Sequence, residues 1–513
     1  MNSLKIIAIF VLVIASTTVK SQSKENSKPN VIVVLADDIG VGDISHYRRL
    51  HKGKVVLETP NIDKLASEGM YFTSAHAPAA LCATSRYSIM TGNNNYRSPL
   101  PWGVWSGYAQ SVISKEQPTL GRVMKKANYH TAFIGKWHLG TSFAKKSDPN
   151  ELFAATRNKT SLNIDITKIK DFGPKQSGFD YSVTLPSGIQ NEPYAIYEND
   201  QWLPLKKSSE IALIDKVYME SIGAVLDKKE GLGDSNWQPS EIGPILANKA
   251  VEFIANNAKK ENPFFMYYCS QAVHTPHLAA AELDGVKIAG TTPSRHMDMI
   301  KELDVQVGML VKELKKQGVY DNTLLIFTSD NGGLHTDGDS WNAHHYPSDI
   351  YRGCKNDPYE GGHRVPFIAS WPKQIKEGQN NNTPILGTDI LATIAAVANS
   401  KLAENEAMDS YNLVPLFTNK EKKHTRGHIL IQGGSQREVV IIEKDWKLII
   451  QIDKKDKTNM KRTPIALFNL KTNDTEDERF NYVAVKKYRK KVAYLLRKYN
   501  ETRDSKVVTG SHI

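Results

Sequence analysis

The stretch Asn30–Ala36 reads NVIVVLA and runs directly into Asp37, Asp38, Ile39 and Gly40. A short, continuous, β-branched run of this kind is typical of a strand that is buried on both faces of a parallel sheet. The two carboxylates then follow the strand at its carboxyl end. We therefore predict a buried parallel strand over residues 30–36 that ends in an acidic loop.

Two further runs share this pattern, at residues 323–328 (TLLIFT) and 263–269 (PFFMYYC). Helical segments are predicted between the strands, at residues 62–68, 120–127 and 296–317. Strands that alternate with helices indicate an α/β fold, in which a large, mainly parallel sheet is flanked by helices. Ligand sites in such sheets lie beyond the carboxyl ends of the strands.

The pattern changes after residue 417, where a polar and basic segment precedes several short elements. The predicted elements are short strands at residues 428–431, 438–442 and 446–450, and an amphipathic helix at residues 485–499. We therefore expect one large domain over residues 22–418. A small C-terminal α+β subdomain with short antiparallel strands and a helix is expected over residues 419–513.

Residues 1–21 have the pattern of a signal peptide. A positively charged start that includes Lys5 precedes an apolar run at residues 6–15, and Val19 and Ser21 are small enough for cleavage after Ser21. The run is too short to span a bilayer, and the polar stretch that follows disfavours the alternative of an uncleaved anchor. We expect an exported protein, periplasmic or secreted, without a membrane anchor.

The chain is basic, with 66 lysine and arginine residues against 55 acidic residues and a net charge of +11. A positive field attracts polyanions, but it equally serves solubility, and both interpretations stay open. No basic arm or zinc-finger spacing occurs, so nucleic acid is not expected as a partner.

Oxygen-bearing side chains follow two of the predicted strands. Asp37 and Asp38 follow the first strand, and Asp330 and Asn331 follow the strand at residues 323–328. Such a pair is more often a turn or a helix cap when it occurs alone. At the ends of two core strands, three carboxylates and an amide favour a site for one hard divalent cation. Because all of these ligands are oxygens, calcium is favoured over zinc.

Cys82 is one of only three cysteines and begins the sequence CATSR, which ends at Arg86 and is followed by Thr91 and Gly92. A lone cysteine in apolar surroundings is usually a small buried hydrophobe, but polar and basic residues follow this one. The stretch resembles the modification signature of the type I sulfatases, which belong to the alkaline phosphatase-like superfamily. Thr84 stands at the third position, where that family has proline or sometimes alanine.

The resemblance extends through further segments in the family's order, from about residue 30 to about residue 480. These segments are TPNIDKLASEG at 59–69, GKWHLG at 135–140, HTPH at 274–277, TSDNGG at 328–333, RGCK at 352–355, YEGG at 359–362, RVP at 364–366, WKLI at 446–449 and LFNL at 467–470. Each segment alone is modest evidence for the resemblance, but the whole set in the family's order is strong evidence.

The resemblance implies a catalytic apparatus as well as a fold. It implies that a formylglycine-generating enzyme oxidises Cys82 to formylglycine, whose hydrate is the nucleophile. It also implies that one calcium ion is bound by residue 82 together with Asp37, Asp38, Asp330 and Asn331.

Further roles follow from the same resemblance. Arg86 and Lys136 would hold and polarise the hydrate, and Lys355 would bind the sulfate group. His274 would be the general acid for the departing alkoxide, and His138 the base that drives recovery of the aldehyde.

We expect the substrate to be a sulfated polysaccharide or its oligosaccharides. The signal peptide, the positive charge and three long loops at residues 93–105, 184–202 and 334–351 motivate this expectation. Side chains of the last loop could grip a sugar by stacking and hydrogen bonds, although an ordinary polar loop is an equal alternative. They are His335, Trp341, His344, His345 and Tyr346.

Two other functions stay open. A phosphatase or phosphodiesterase of the same superfamily would usually have serine or threonine as the nucleophile and more aspartate and histidine ligands for a second metal, so Cys82 argues against it. A non-catalytic glycan-binding relative would have no need for the full set of reactive residues. That set is Cys82, Arg86, Lys136, His138, His274 and Lys355.

Overall fold

The computed structural model describes residues 28–105, 107–154, 162–420, 426–456, 458, 460–504 and 509–511. The predicted signal peptide therefore lies outside the described residues. The strands are β1 (Asn30–Ala36), β2 (Met70–Phe72), β3 (Ala75–His76), β4 (His130–Lys136), β5 (Tyr181–Leu185), β6 (Ile196–Glu198), β7 (Gln201–Leu203), β8 (Ile211–Ile214), β9 (Gly231–Asp234), β10 (Phe264–Cys269), β11 (Glu282–Leu283), β12 (Val286–Lys287), β13 (Thr323–Ser329), β14 (Phe367–Ser370), β15 (Gln379–Asn381), β16 (Ile385–Leu386), β17 (Ile429–Gln432), β18 (Glu438–Glu443), β19 (Trp446–Ile452) and β20 (Arg462–Asn469).

The helices alternate with the strands over most of the chain. They are α1 (Ser45–Leu50), α2 (Pro60–Glu68), α3 (Cys82–Thr91), α4 (Leu120–Lys126), α5 (Lys216–Ser221), α6 (Pro239–Asn257), α7 (Arg295–Lys316), α8 (Gly338–Asn342), α9 (Glu360–His363), α10 (Asp389–Val397), α11 (Val414–Phe417) and α12 (Arg489–Asp504). No helix in the described part of the chain is long and apolar enough to cross a membrane.

Ten strands of the described residues form one sheet in the order β15-β2-β14-β13-β1-β10-β4-β5-β6-β7. The five central strands, from β13 to β5, are parallel to one another, and antiparallel pairs occur only toward the two edges. The predicted α/β fold with a mainly parallel sheet is confirmed. Because the central strands share one direction, their carboxyl ends meet at one edge of the sheet.

The middle parts of β1, β10 and β13 are apolar because helices cover both faces of the sheet. Ile32 and Val34 of β1 pack in a core that includes side chains of α6 and α7. Val31, Val33 and Leu35 pack in a second core with side chains of α3, α4 and α10. Every residue of β1, β10 and β13 is buried. This two-sided burial is the reason that the strands are continuous apolar runs and not alternating ones.

Near the C-terminus, strands β17 to β20 form a separate antiparallel sheet, and α12 packs on it through Leu495 and Tyr499. The predicted helix begins at Arg489 and not at Val485, which is exposed before it. A 3₁₀ turn at Lys486–Tyr488 precedes the helix. The expected antiparallel strands are confirmed, whereas the division of the chain at residues 418 and 419 stays a prediction.

Candidate active site

The acidic side chains of two central strands meet at the carboxyl edge of the sheet. Asp37 and Asp38 follow β1, and Asp330 follows its neighbour β13. One oxygen from each of the three carboxylates lies within 4.8 Å of the other two, and all three side chains are buried. Asp330 Oδ1 accepts a hydrogen bond from the Asp38 amide at 3.1 Å, and Asn331 Nδ2 donates to Asp38 Oδ1 at 2.9 Å. The four residues that the sequence placed in one cation site therefore converge.

Three cationic side chains surround these carboxylates. Lys136, the last residue of β4, donates through Nζ to Asp37 Oδ2 at 2.6 Å. Lys355 Nζ donates to Asp38 Oδ2 at 2.7 Å. Arg86 contacts the third carboxylate, that of Asp330. The Lys136 side chain is fully buried, whereas the Lys355 side chain is 12% exposed, so Lys355 is the lysine of this site that is open to an incoming group.

Helix α3 brings Cys82 and Arg86 into the same site. Cys82 is its first residue and Arg86 lies four residues later, so the two side chains lie on one face of the helix. Arg86 Nε donates to Asp330 Oδ2 at 2.8 Å, and Arg86 Nη1 donates to the Lys136 carbonyl at 2.9 Å. Every residue of the helix is buried, and Gly92 ends it in the left-handed region at a φ of 67°. The guanidinium thus links α3 to β4 and β13.

The two predicted catalytic histidines lie beside this cluster. His274 Nε2 is 3.8 Å from Asp38 Oδ2, and its Nδ1 is 3.0 Å from the Thr275 carbonyl, which accepts the proton of a neutral ring. His138 is buried, and its amide donates to the Pro186 carbonyl at 2.9 Å. Both Asp38 and His138 have positive φ angles, of 65° and 53°. Such backbone strain in residues other than glycine is concentrated at functional sites.

Electrostatic effects differ among the three carboxylates. Burial raises the pKa of Asp330 to about 6, with Arg86 opposing the rise and the two other aspartates adding to it. Burial alone would also raise the pKa of Asp37 and Asp38, but Lys136 and Lys355, respectively, hold the pKa of each below its usual value. Three carboxylates this close require positive charge to stay ionised together.

The same burial keeps the histidines and the thiol uncharged. Burial, together with the charges of Lys355 and Lys136, lowers the pKa of His274 to about 4. Burial likewise holds the pKa of His138 well below its usual value. Burial raises the pKa of the Cys82 thiol, although both lysines oppose the rise.

The residues present fit a hard cation. Asp37 Oδ1 and Asn331 Oδ1 are buried and accept no hydrogen bond from the described residues, although Arg86 Nη2 is 3.4 Å from Asp37 Oδ1. Buried oxygens without a donor are costly unless a cation or water satisfies them. An all-oxygen donor set of three carboxylates and one amide is the kind that calcium binds.

The structure modifies the sequence predictions for two loops and agrees with the burial predicted for Cys269. The predicted loop 184–202 includes the end of β5, all of β6 and the first residues of β7, so both of its ends belong to the sheet and the part between β5 and β6 is the loop. In loop 334–351, His345 is buried and its Nε2 contacts Asp43 Oδ1 at 2.8 Å, while Trp341 is 60% exposed. The five side chains proposed to grip a sugar therefore do not form one group. Cys269 is fully buried in β10, as predicted.

One contributor to the site was not predicted from the sequence. The end of β5 and the residue after it support the histidine motif, because the Leu185 carbonyl accepts a hydrogen bond from the Trp137 amide and the Pro186 carbonyl accepts one from the His138 amide, each at 2.9 Å. This support comes from the main chain, so no side-chain pattern in the sequence could have indicated it.

A large cavity adjoins the site next to His274. Its volume is about 530 Å³, and it is lined in part by Thr275, His277, Arg295 and Asp337. His277 is partly buried, and its ring stacks on His296 at 5.2 Å between centroids. A cavity of this size accommodates a small organic group such as a sugar.

Comparisons with known proteins agree with this geometry. A family profile described as Sulfatase matches residues 29–400. The chain is 30% identical over 463 residues to an N-acetylgalactosamine-6-O-sulfatase of Bacteroides thetaiotaomicron, covering 84% of each protein. It is 29% identical to human steryl-sulfatase, over 79% of this chain and 72% of that protein.

A solved structure has the same architecture. It comes from work on the metabolism of multiple glycosaminoglycans by Bacteroides thetaiotaomicron. It superposes with a TM-score of 0.77 and 26% identity, over 94% of this chain and 100% of the other. The chain therefore belongs to the sulfatase family and is a sulfuric ester hydrolase.

Proposed function

We propose that the protein is an exported sulfatase that depends on formylglycine and calcium and desulfates a sulfated polysaccharide or its oligosaccharides. The observation that carries the proposal is the buried convergence of the Cys82 thiol with three carboxylates and three cationic side chains. The cation cluster contains oxygen ligands and no histidine, which disfavours the two-metal phosphatase alternative. The predicted signal peptide supports export.

Residue 82 supplies the nucleophile in this proposal. The high pKa of the buried thiol keeps an unmodified Cys82 protonated near neutral pH, and a protonated thiol is a poor nucleophile. Formylglycine, once hydrated, supplies a nucleophilic oxygen that the reforming aldehyde can later expel. Residue 82 heads a helix whose residues are all buried, and this packing holds it in one orientation.

The surrounding charges orient the nucleophile and the sulfate group. Arg86 is buried and paired with Asp330, and Lys136 is buried and paired with Asp37. Their positive charges are therefore held in fixed positions beside residue 82. Lys355 is the more accessible cation and would bind the sulfuryl oxygens. A calcium ion held by the carboxylates and Asn331 would supply further charge stabilisation for those oxygens.

The two histidines would handle the protons. The hydrogen bond from Nδ1 of His274 to the Thr275 carbonyl leaves Nε2 directed into the site. An entering sulfate ester carries negative charge, which favours protonation of that nitrogen, and the imidazolium can then protonate the departing sugar oxygen. His138 is neutral, and its buried Nδ1 has no hydrogen-bond partner among the described residues, so it can accept a proton as a base.

His274→Ala is expected to slow sugar sulfates far more than nitrophenyl sulfate. A sugar alkoxide is a poor leaving group and needs the acid, so its kcat/KM should fall by about 10²- to 10⁴-fold. Nitrophenolate leaves without help, and its kcat/KM should fall by about tenfold or less. Steady-state rates of sulfate release on both substrates measure the difference.

His130 provides the control for this experiment, because it is the first residue of β4 and lies at the opposite end of that strand from Lys136. His130→Ala should leave both rates near those of the wild type. Equal losses on the two substrates in His274→Ala would remove His274 from the acid role.

The substrate class is supported by the relatives and by the cavity. One relative is named for desulfating N-acetylgalactosamine, and the superposed structure belongs to glycosaminoglycan metabolism. The cavity beside His274 offers histidine, arginine and carboxylate side chains that can hydrogen-bond to sugar hydroxyls.

The expected result is sulfate release from at least one member of a panel of sulfated glycans and their oligosaccharides. Ion chromatography of free sulfate, with nitrophenyl sulfate as the reference substrate, makes the measurement. Turnover of the aryl ester with no release from any glycan would contradict the carbohydrate assignment and leave the sulfatase chemistry intact.

A further inference from the structure

A second cluster of metal-ligand side chains lies apart from the carboxylate cluster. It consists of Asp43, His296 and His345, and one ligand atom of each lies within 4.8 Å of the other two. His345 Nε2 is 2.8 Å from Asp43 Oδ1, and His296 Nε2 is 3.9 Å from the same oxygen. The three side chains are 4% exposed or less. We name this group the Asp43 cluster.

Hydrogen bonding inside the Asp43 cluster is incomplete. Asp43 Oδ2 accepts a hydrogen bond from the Gly40 amide at 2.9 Å, which fixes the carboxylate with Oδ1 toward the histidines. His296 Nε2 is buried and has no hydrogen-bond partner among the described residues. An unsatisfied ring nitrogen directed at a carboxylate is costly as it stands. A shared cation would satisfy both atoms.

The donor set and its dimensions suit zinc. Zinc binds imidazole nitrogen and carboxylate oxygen at about 2.0–2.2 Å, so neighbouring ligands of a tetrahedral site lie about 3.3 Å apart. The separations of 2.8 and 3.9 Å bracket that value. Metals bind the unprotonated nitrogen of a neutral imidazole, and the buried Nε2 of His296 has no hydrogen-bond partner among the described residues that would compete for it. The Asp337 carboxylate, 3.9 Å from Nδ1 of His296, would favour the proton on that nitrogen.

In a third cluster of metal-ligand side chains, a lysine occupies the position between the ligands that a cation would take. His76, Glu360 and His363 also lie within metal-binding distance of one another. There the ammonium of Lys447 donates to Glu360 Oε1 and contacts His363 Nε2, each at 3.0 Å. In the described part of the chain, no lysine or arginine forms an ion pair with Asp43.

We propose that Asp43, His296 and His345 form a zinc site that is distinct from the calcium site. Its ligands come from three segments, namely the 3₁₀ turn after β1, the first turn of α7 and the residues that follow α8. The ion would fasten loop 334–351 to the segment that carries the aspartates of the active site. It would thus fix one wall of the cavity beside His274, which His296 also lines.

Metal content and thermal stability test the proposal. The full-length mature protein, saturated with calcium, is incubated with zinc chloride, freed of unbound metal by gel filtration and analysed by mass spectrometry. We expect one zinc per chain in addition to calcium, and zinc should raise the Tm by about 2 °C or more. His345→Asn and His296→Asn should weaken zinc binding at least about tenfold.

Two control variants identify the site. His335 lies in the same loop as His345 but is exposed, so the His335→Asn variant should bind zinc as the wild type does. Asp38→Asn should lose calcium affinity and keep its zinc. Zinc binding that disappears in Asp38→Asn but persists in His345→Asn would overturn the proposal, as would calcium-saturated protein that retains no zinc and shows no shift in Tm.

Anomalous scattering keeps the proposal testable if the histidine variants fail to fold. Wild-type crystals soaked in zinc chloride should show a peak at the zinc edge between the Asp43 carboxylate and the two imidazoles. A peak only at other positions, or no peak, would contradict it.

Discussion

Cys82→Ala is expected to reduce sulfate release by about 10⁴-fold or more, to the background rate, because the variant cannot form the nucleophile. The fold should persist, since the substitution removes one sulfur atom from a helix that is buried along its whole length. Rates on nitrophenyl sulfate and on a sulfated glycan, together with the Tm, make the measurement. Loss on both substrates is required, because both substrates transfer their sulfuryl group to the same nucleophile.

Cys354→Ala is the matched control. Cys354 is a free, partly buried cysteine next to Lys355, and its thiol lies 3.6 Å from an Asp357 oxygen. Its removal should leave activity within a few-fold of the wild type. Peptide mass spectrometry of wild-type enzyme should find formylglycine at position 82. Fully active enzyme that carries only unmodified cysteine there would contradict the proposed nucleophile.

Two strands that position the site, β1 and β13, could be predicted because burial on both faces leaves an apolar run in the middle of each. Both strands are buried at every position, and their polar residues lie only at or near their ends. β4, which reads HTAFIGK, was not predicted, although it carries Lys136. Its last residue is a buried lysine that is tolerated only because Asp37 pairs with it. This pairing joins two distant parts of the sequence, so no local pattern indicates it.

The ordered motifs singled out residues that converge in the structure, but they could not show how a single loop is folded. Loop 334–351 has aromatic and histidine residues within a short stretch, which suggested one surface. In the structure, Asp337 caps the short helix α8, and the chain after it turns His345 inward. His345 then contacts Asp43, which is 302 residues away in the sequence. No local pattern can reveal a partner at that separation.

Removal of calcium is expected to abolish turnover and to do so reversibly. A bound cation contributes several kcal/mol to charge stabilisation in the transition state, which corresponds to a loss of about 10³-fold or more. Chelation followed by calcium should restore the rate, whereas zinc should not, because the site offers four oxygen ligands and no imidazole among them. Titration calorimetry and activity, measured on the same samples, should give the same calcium dependence.

The ligand substitutions Asp38→Asn and Asp330→Asn should weaken calcium binding and lower kcat together. Each removes one negative charge from the cluster of three carboxylates, while the Lys355 and Arg86 contacts would lose their ionic character. Asp304→Asn is the control, since Asp304 is also buried but accepts hydrogen bonds from the Ile62 amide and the Asn61 side chain, outside the cluster. It should keep the calcium affinity of the wild type. Full activity in protein from which chelation has removed all calcium would mean that these carboxylates serve only to neutralise Arg86, Lys136 and Lys355.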